Sequence, residues 1–127
     1  MERKTCLDEI QKYQQDFDER KDNTVVSVPF TDDYAMVCLM EELGEVARCI
    51  KKAKRARMNG QIEEAEKWEA KMKDECSDVL VYLVKFFNKH SFNMADAYYG
   101  KMEENHQELD KGGGKFLGFG NTVNPNE

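Results

Sequence analysis

Two short carboxylate clusters carry most of the chemistry this sequence offers: Glu41-Glu42-Leu43-Gly44-Glu45, and Asp74-Glu75-Cys76-Ser77-Asp78 running directly into Val79-Leu80-Val81-Tyr82-Leu83-Val84. An ionised carboxyl withdrawn from water costs several kcal/mol unless it is paired or binds a metal. On a helix, residues three or four apart project from nearly the same face, so Glu42 with Glu45 makes one pair of claws and Glu75 with Asp78 another. Tyr82, one turn past Asp78, extends the second face. Opposed across one groove, the four acids would form a hard, anionic site suited to Mg2+, with Mn2+ as a substitute, ions that keep some waters and accept phosphate oxygens as remaining ligands. A Glu-rich helix is more often simply a solvated face. Asp78 argues against that reading, because it stands immediately before an apolar run, where an unpaired carboxylate is hard to accommodate.

The elements that must bring these clusters together are helices. Proline occurs only at Pro29 and Pro125, and strand-like alternation is confined to Thr24-Val25-Val26-Ser27-Val28, so the sequence predicts an all-α fold, an antiparallel helix bundle completed by oligomerisation. A first helix is expected from about Thr5 to Arg20, and a linker closed by Pro29 follows it. Thr31 or Asp32 is a suitable N-cap for a second helix that reaches about Met58 and stops at Asn59-Gly60. Apolar residues at 36, 39, 40, 43, 46, 47 and 50 fall within roughly a third of that helix's circumference and predict one buried stripe. A third helix starts near Gln61 and turns apolar almost all round from Val79 to Phe87, which predicts a central place in the core. Asn93, with Asp96 three residues on, marks the start of a fourth helix from Met94 to about Lys111. The short Asn59-Gly60 turn favours antiparallel packing of the second and third helices, which is what would make the two claws face each other.

Length and composition narrow the possible functions. The chain has 127 residues, enough for one core, and the expected organisation is a single helical domain over 1–111 with a flexible Gly- and Asn-rich tail over 112–127. The net charge of -6 argues against nucleic acid as a partner, and an anionic small ligand would need a bridging cation. No segment approaches the roughly 18 apolar residues of a membrane span, so no membrane partner and a cytoplasmic location are expected. Cys6, Cys38, Cys49 and Cys76 are too far apart for a CxxC motif and read as reduced thiols in or near the core.

The ordered pair of motifs, Glu42-Leu43-Gly44-Glu45 and then Glu75-Cys76-Ser77-Asp78, resembles the ExxE and ExxD elements of the MazG-like all-α nucleoside triphosphate pyrophosphohydrolases. The intervening residues 46–74 stand at the long end of that family's spacing, which fits a longer helical hairpin about Asn59-Gly60. Asp78-Val79-Leu80-Val81-Tyr82-Leu83 and Lys101-Met102-Glu103-Glu104-Asn105 add to the likeness, which covers about residues 32–110. The resemblance implies Mg2+-dependent hydrolysis of a nucleoside triphosphate between the α and β phosphorus atoms. It also implies Glu42, Glu45, Glu75 and Asp78 as metal ligands and Lys101 and Asn105 as contacts to phosphate oxygens, with Tyr82 lining the sugar or base pocket. Glu41 is either a supporting acid beside the ligands or the base that takes the water's proton. The basic run from Lys51 to Arg57 reads either as a solvated helix end that complements the helix dipole or, through Arg48, Lys51 or Lys52, as a contact to the triphosphate tail. Trp68 could stack on a base or close a contact between subunits.

Rival readings make different demands. A di-iron carboxylate bundle needs two Glu-x-x-His motifs, and only Glu103 to His106 matches. A non-catalytic helical interaction or nucleotide-binding module predicts no turnover, and a phosphoribosyl-ATP pyrophosphohydrolase-like enzyme predicts a different substrate. A homodimer or homotetramer is expected, because an apolar third helix leaves more surface than one chain covers.

Overall fold

The computed structural model describes residues 6–117 of the chain. Among these residues the chain is all-α, with helices α1 (Cys6–Asp22), α2 (Asp32–Met58), α3 (Ile62–Lys89) and α4 (Met94–Asp110), then one 3-10 turn (Gly114–Phe116), and no strand. Contacts divide the chain into two compact units, Met1–Met94 and Ala95–Glu127. No helix among the described residues is long and apolar enough to cross a membrane.

In the first unit, α2 and α3 form an antiparallel hairpin. Thr31 caps α2 by accepting the Tyr34 N–H at 3.2 Å, and Asp32 and Asp33 in the first turn and Arg55 and Arg57 in the last complement the helix dipole. At the other end Gly60 takes a left-handed φ of 71°, a conformation open to glycine without a Cβ clash. The Gly60 N–H then bonds to the Arg57 carbonyl at 3.1 Å and the Gln61 N–H to the Ala56 carbonyl at 2.8 Å, the bond pair of a Schellman turn. The chain reverses there, and α3 runs back along α2.

The seam of the hairpin is a row of mostly small residues on α2. Ala35, Cys38, Cys49, Ala53 and Ala56 are buried, and half-buried Glu42 and Val46 fill the gap in the row. On α3 the facing row is Ala65, Trp68, Met72, Glu75, Val79, Tyr82 and Phe86, all buried or half-buried and spaced alternately three and four apart. That spacing is the one by which side chains of paired helices interlock. Arg57 binds Glu69 through two hydrogen bonds of 2.8 and 2.9 Å near the turn, and Asp32 meets Lys89 and His90 at the open end.

Three expectations are corrected by this packing. The stripe of larger apolar residues on α2 is not the buried one: Met36, Met40, Leu43 and Ile50 are exposed, about a third of a turn round the helix from the seam. Alanine and cysteine make the close contact instead, since small side chains let two helix backbones approach. On α3, Val84 is fully buried, but Leu80, Val81 and Leu83 are exposed, so that segment is only partly core in one chain. Cys38 and Cys49 are buried free thiols as expected, whereas Cys6 and Cys76 are exposed. No residue of α1 is buried, and Cys76 follows the seam residue Glu75 and so faces away from α2.

α1 lies against the C-terminal part of α3 through polar contacts. The Gln11 side-chain amide donates to Asn88 Oδ1 at 3.0 Å and to the Phe92 carbonyl at 2.8 Å, while its oxygen accepts the Met94 N–H at 2.9 Å. Asn88 returns a bond to the Gln11 carbonyl at 3.0 Å.

In the second unit, α4 ends where Gly112 and Gly113 adopt positive φ, and the 3-10 turn brings Lys115 Nζ to 2.9 Å from Asn105 Oδ1. Of the Gly- and Asn-rich tail expected over 112–127, residues 118–127 lie outside the described residues.

Candidate metal centre

Glu42 occupies a seam position, between Cys38 and Val46, and so faces α3 rather than solvent. Across the seam stand Glu75 and, one turn on, Asp78. One carboxylate oxygen from each of Glu42, Glu75 and Asp78 lies within 4.8 Å of the others; Glu42 and Glu75 are half-buried and Asp78 is exposed. The claws that the sequence places far apart thus meet, with three of the four expected ligands in one cluster.

The cluster is electrostatically crowded. Burial holds the Glu42 carboxyl above its ordinary pKa, and the Asp78 charge, a hydrogen bond with Glu75, the Glu75 charge and the neighbouring Glu41 push in the same direction. Crowded carboxylates repel one another, and a divalent cation among them removes the repulsion. The donor set is all hard oxygen, so the residues present fit Mg2+ or Mn2+ and offer nothing to a soft metal.

The other predicted residues are placed less uniformly. Glu45 is half-buried and stands outside the close cluster, with its carboxylate 3.9 Å from Arg48 Nη1. Glu41 is exposed beside Glu42 and adds to the negative field there. Lys52 is half-buried on α2, one turn beyond Arg48. Tyr82 lies next to the cluster: burial raises its phenol pKa, and Cys38 and Glu42 add to the rise. Lys101 and Asn105 belong to the second unit. There Lys101 pairs with Glu104 at 2.9 Å and lowers the Glu104 pKa, while Asn105 accepts from Lys115.

Trp68 lies on the seam toward the hairpin turn, with Arg48 Cζ 5.6 Å and Lys71 Nζ 5.3 Å from its ring centroid. Its indole N–H donates to Glu64 at 3.1 Å. On the other side of the cluster stands a group that reading the sequence missed. Phe30 stacks on Tyr82 with centroids 6.3 Å apart, and Lys85 Nζ lies 4.4 Å from the Phe30 ring centre. The available signal was an aromatic residue immediately before the N-cap Thr31, a position that commonly packs back onto a helix.

No curated protein and no solved structure matches the chain. The family model of the MazG nucleotide pyrophosphohydrolase domain matches residues 30–109. That span holds Phe30, both acidic clusters, all of α2 and α3 and nearly all of α4. With most of its length matched by that model, the chain belongs to the MazG nucleotide pyrophosphohydrolase domain family.

Proposed function

We propose that the protein is a Mg2+-dependent hydrolase that cleaves ribo- or deoxyribonucleoside triphosphates between the α and β phosphorus atoms, releasing nucleoside monophosphate and pyrophosphate into the cytoplasmic pool. The observation that carries this reading is the convergence of Glu42, Glu75 and Asp78 within 4.8 Å in a chain of this family. These three residues would hold the ion, and Glu45 would join them on leaving Arg48. A bound divalent ion supplies positive charge to the triphosphate and lowers the pKa of the attacking water.

The chain's own groups do the rest. The water oxygen bonds to the α-phosphorus, the bond from that phosphorus to the bridging oxygen breaks, and pyrophosphate leaves. The water's proton passes to a carboxylate, for which exposed Glu41, next to Glu42, is the candidate. Tyr82 borders the sugar and base, and Lys52 reaches toward the triphosphate tail. Lys101 and Asn105 take phosphate oxygens on the strength of the family resemblance.

A homodimer or homotetramer is part of the reading. Met36, Met40, Leu43 and Ile50 on α2 and Leu80 and Leu83 on α3 are exposed in the single chain, an apolar surface suited to a second copy. A stable monomer by light scattering would remove that part.

The deciding experiment incubates the protein and Mg2+ with a panel of ribo- and deoxyribonucleoside triphosphates and resolves the products. Monophosphate with pyrophosphate is expected, and Glu75→Gln should lower kcat/KM by at least about 100-fold. Orthophosphate with a diphosphate, or no turnover of any triphosphate, would overturn the reading.

A further inference from the structure

A cleft of about 770 Å³ opens beside the candidate centre, walled by the linker from Asn23 to Phe30, the end of α1 and the α3 residues Lys85, Asn88 and Lys89. Its size falls within the range of small-molecule pockets. Phe30 is the wall nearest the acids, because it stacks on Tyr82, which borders Glu42 and stands one turn from Asp78.

Lys85 is the unusual group in this cleft. Its side chain is only 13% exposed, and its ammonium lies 4.4 Å from the Phe30 centroid and 5.7 Å from that of Tyr82. Its ion-pair partner Asp18 stays 3.9 Å away, beyond a hydrogen bond. Burial lowers the Lys85 pKa and the neighbouring Lys21 lowers it further, while Asp18 and Asp22 pull it back up. An ammonium has three donors, and the 3.9 Å contact to Asp18 is too long to be a hydrogen bond from any of them.

We infer that Lys85 is a specificity-determining residue for the base: in the cleft beside Phe30 and Tyr82, its ammonium donates to an exocyclic carbonyl and so selects oxo-edged bases over amino-edged ones. The inference rests on the triphosphate hydrolysis proposed above. Lys85 follows Asp78 by about 10 Å of helix rise, comparable with the span from a nucleotide's α-phosphorus to the far edge of its base. An ammonium carries three donors and no acceptor, so it rewards a carbonyl oxygen and meets an exocyclic amine donor to donor. A buried donor left unpaired by the wrong base is the kind of contact that gives strong discrimination.

The test compares deoxyinosine with deoxyadenosine triphosphate, which share a purine frame and differ mainly at the 6-oxo or 6-amino edge. With the full chain and Mg2+, the ratio of their kcat/KM values should favour the oxo substrate by about 10- to 100-fold, as expected for a hydrogen bond to a charged donor. Lys85→Met should bring that ratio to within about threefold of one, and Lys85→Arg should keep it well above one. Because the ratio is taken within one preparation, a partly folded variant does not distort it. A wild-type ratio near one, or an unchanged ratio in Lys85→Met, overturns the inference and leaves the hydrolase reading standing. Calorimetric binding of the two monophosphates separates the opposite case: no turnover with an oxo preference in binding that Lys85→Met abolishes overturns the hydrolase reading and supports the role of Lys85. No preference in either assay overturns the inference.

Discussion

Glu42 on α2 and Asp78 on α3 bring carboxylate oxygens to within 4.8 Å of each other across the hairpin seam, and the Asp78 charge helps to raise the Glu42 pKa. Without a cation this contact is a cost, since both groups are anions. Mg2+ should therefore raise the melting temperature of the wild-type protein by several degrees, equivalent to about 2.7 kcal/mol at a hundredfold excess over Kd. In metal-free buffer Glu42→Gln should melt above the wild type, and it should respond little to Mg2+. Calorimetric melts with and without the ion check both; equal Mg2+ responses in the two proteins would remove Glu42 from the site.

Asp32 carries the acid sensitivity of the hairpin's open end. A hydrogen bond from Lys89, followed by one from His90, holds its carboxyl below the ordinary value of 3.8. A depressed carboxylate pKa contributes stability that is fully present above the unfolded value and lost as pH falls through the folded one. The stability advantage of wild type over Asp32→Asn should be constant above about pH 5 and shrink below it. Denaturant midpoints for the two proteins from pH 6 to pH 2.5 would show the narrowing, and an advantage that grew on acidification would contradict the assignment.

Gln11 holds α1 on the hairpin by its two donated bonds and the one it accepts. Gln11→Ala leaves the part-buried Asn88 oxygen and the Met94 N–H without these partners, at a cost of about 1–3 kcal/mol. Urea denaturation should show that loss, and hydrogen exchange should show faster opening of α1 than of α2.

Ser91 takes a left-handed φ of 56° just past α3, where its N–H bonds to the Asn88 carbonyl at 3.0 Å and the Phe92 N–H to Phe87 at 2.9 Å. Glycine adopts that conformation without a Cβ clash, so Ser91→Gly should stabilise the protein by about 0.5–1 kcal/mol. A thermal melt checks the sign, and a lower midpoint would mean that the serine side chain matters more than the backbone strain.

The amino-acid sequence by itself determined the helical class, the turn at Asn59-Gly60 and the pairing of acids three residues apart. Each follows from local rules: glycine's freedom at positive φ, capping chemistry and the period of a helix. The spacing within Glu42-Leu43-Gly44-Glu45 and Glu75-Cys76-Ser77-Asp78 needed only a helix to become a pair of faces.

Which face met which was decided only in three dimensions. The large apolar residues of α2 suggested a stripe through Met40 and Leu43, yet close packing selected the smaller row of Ala35, Cys38, Ala53 and Ala56. That choice rotated Glu42 into the seam and left Glu45 beside Arg48. It also set Phe30, from a linker with little local signal, against Tyr82 and Lys85. Hydrophobic periodicity records how much apolar surface a helix carries, whereas the fit between two helices depends on side-chain volume at each contact, a property of the pair that neither segment encodes alone.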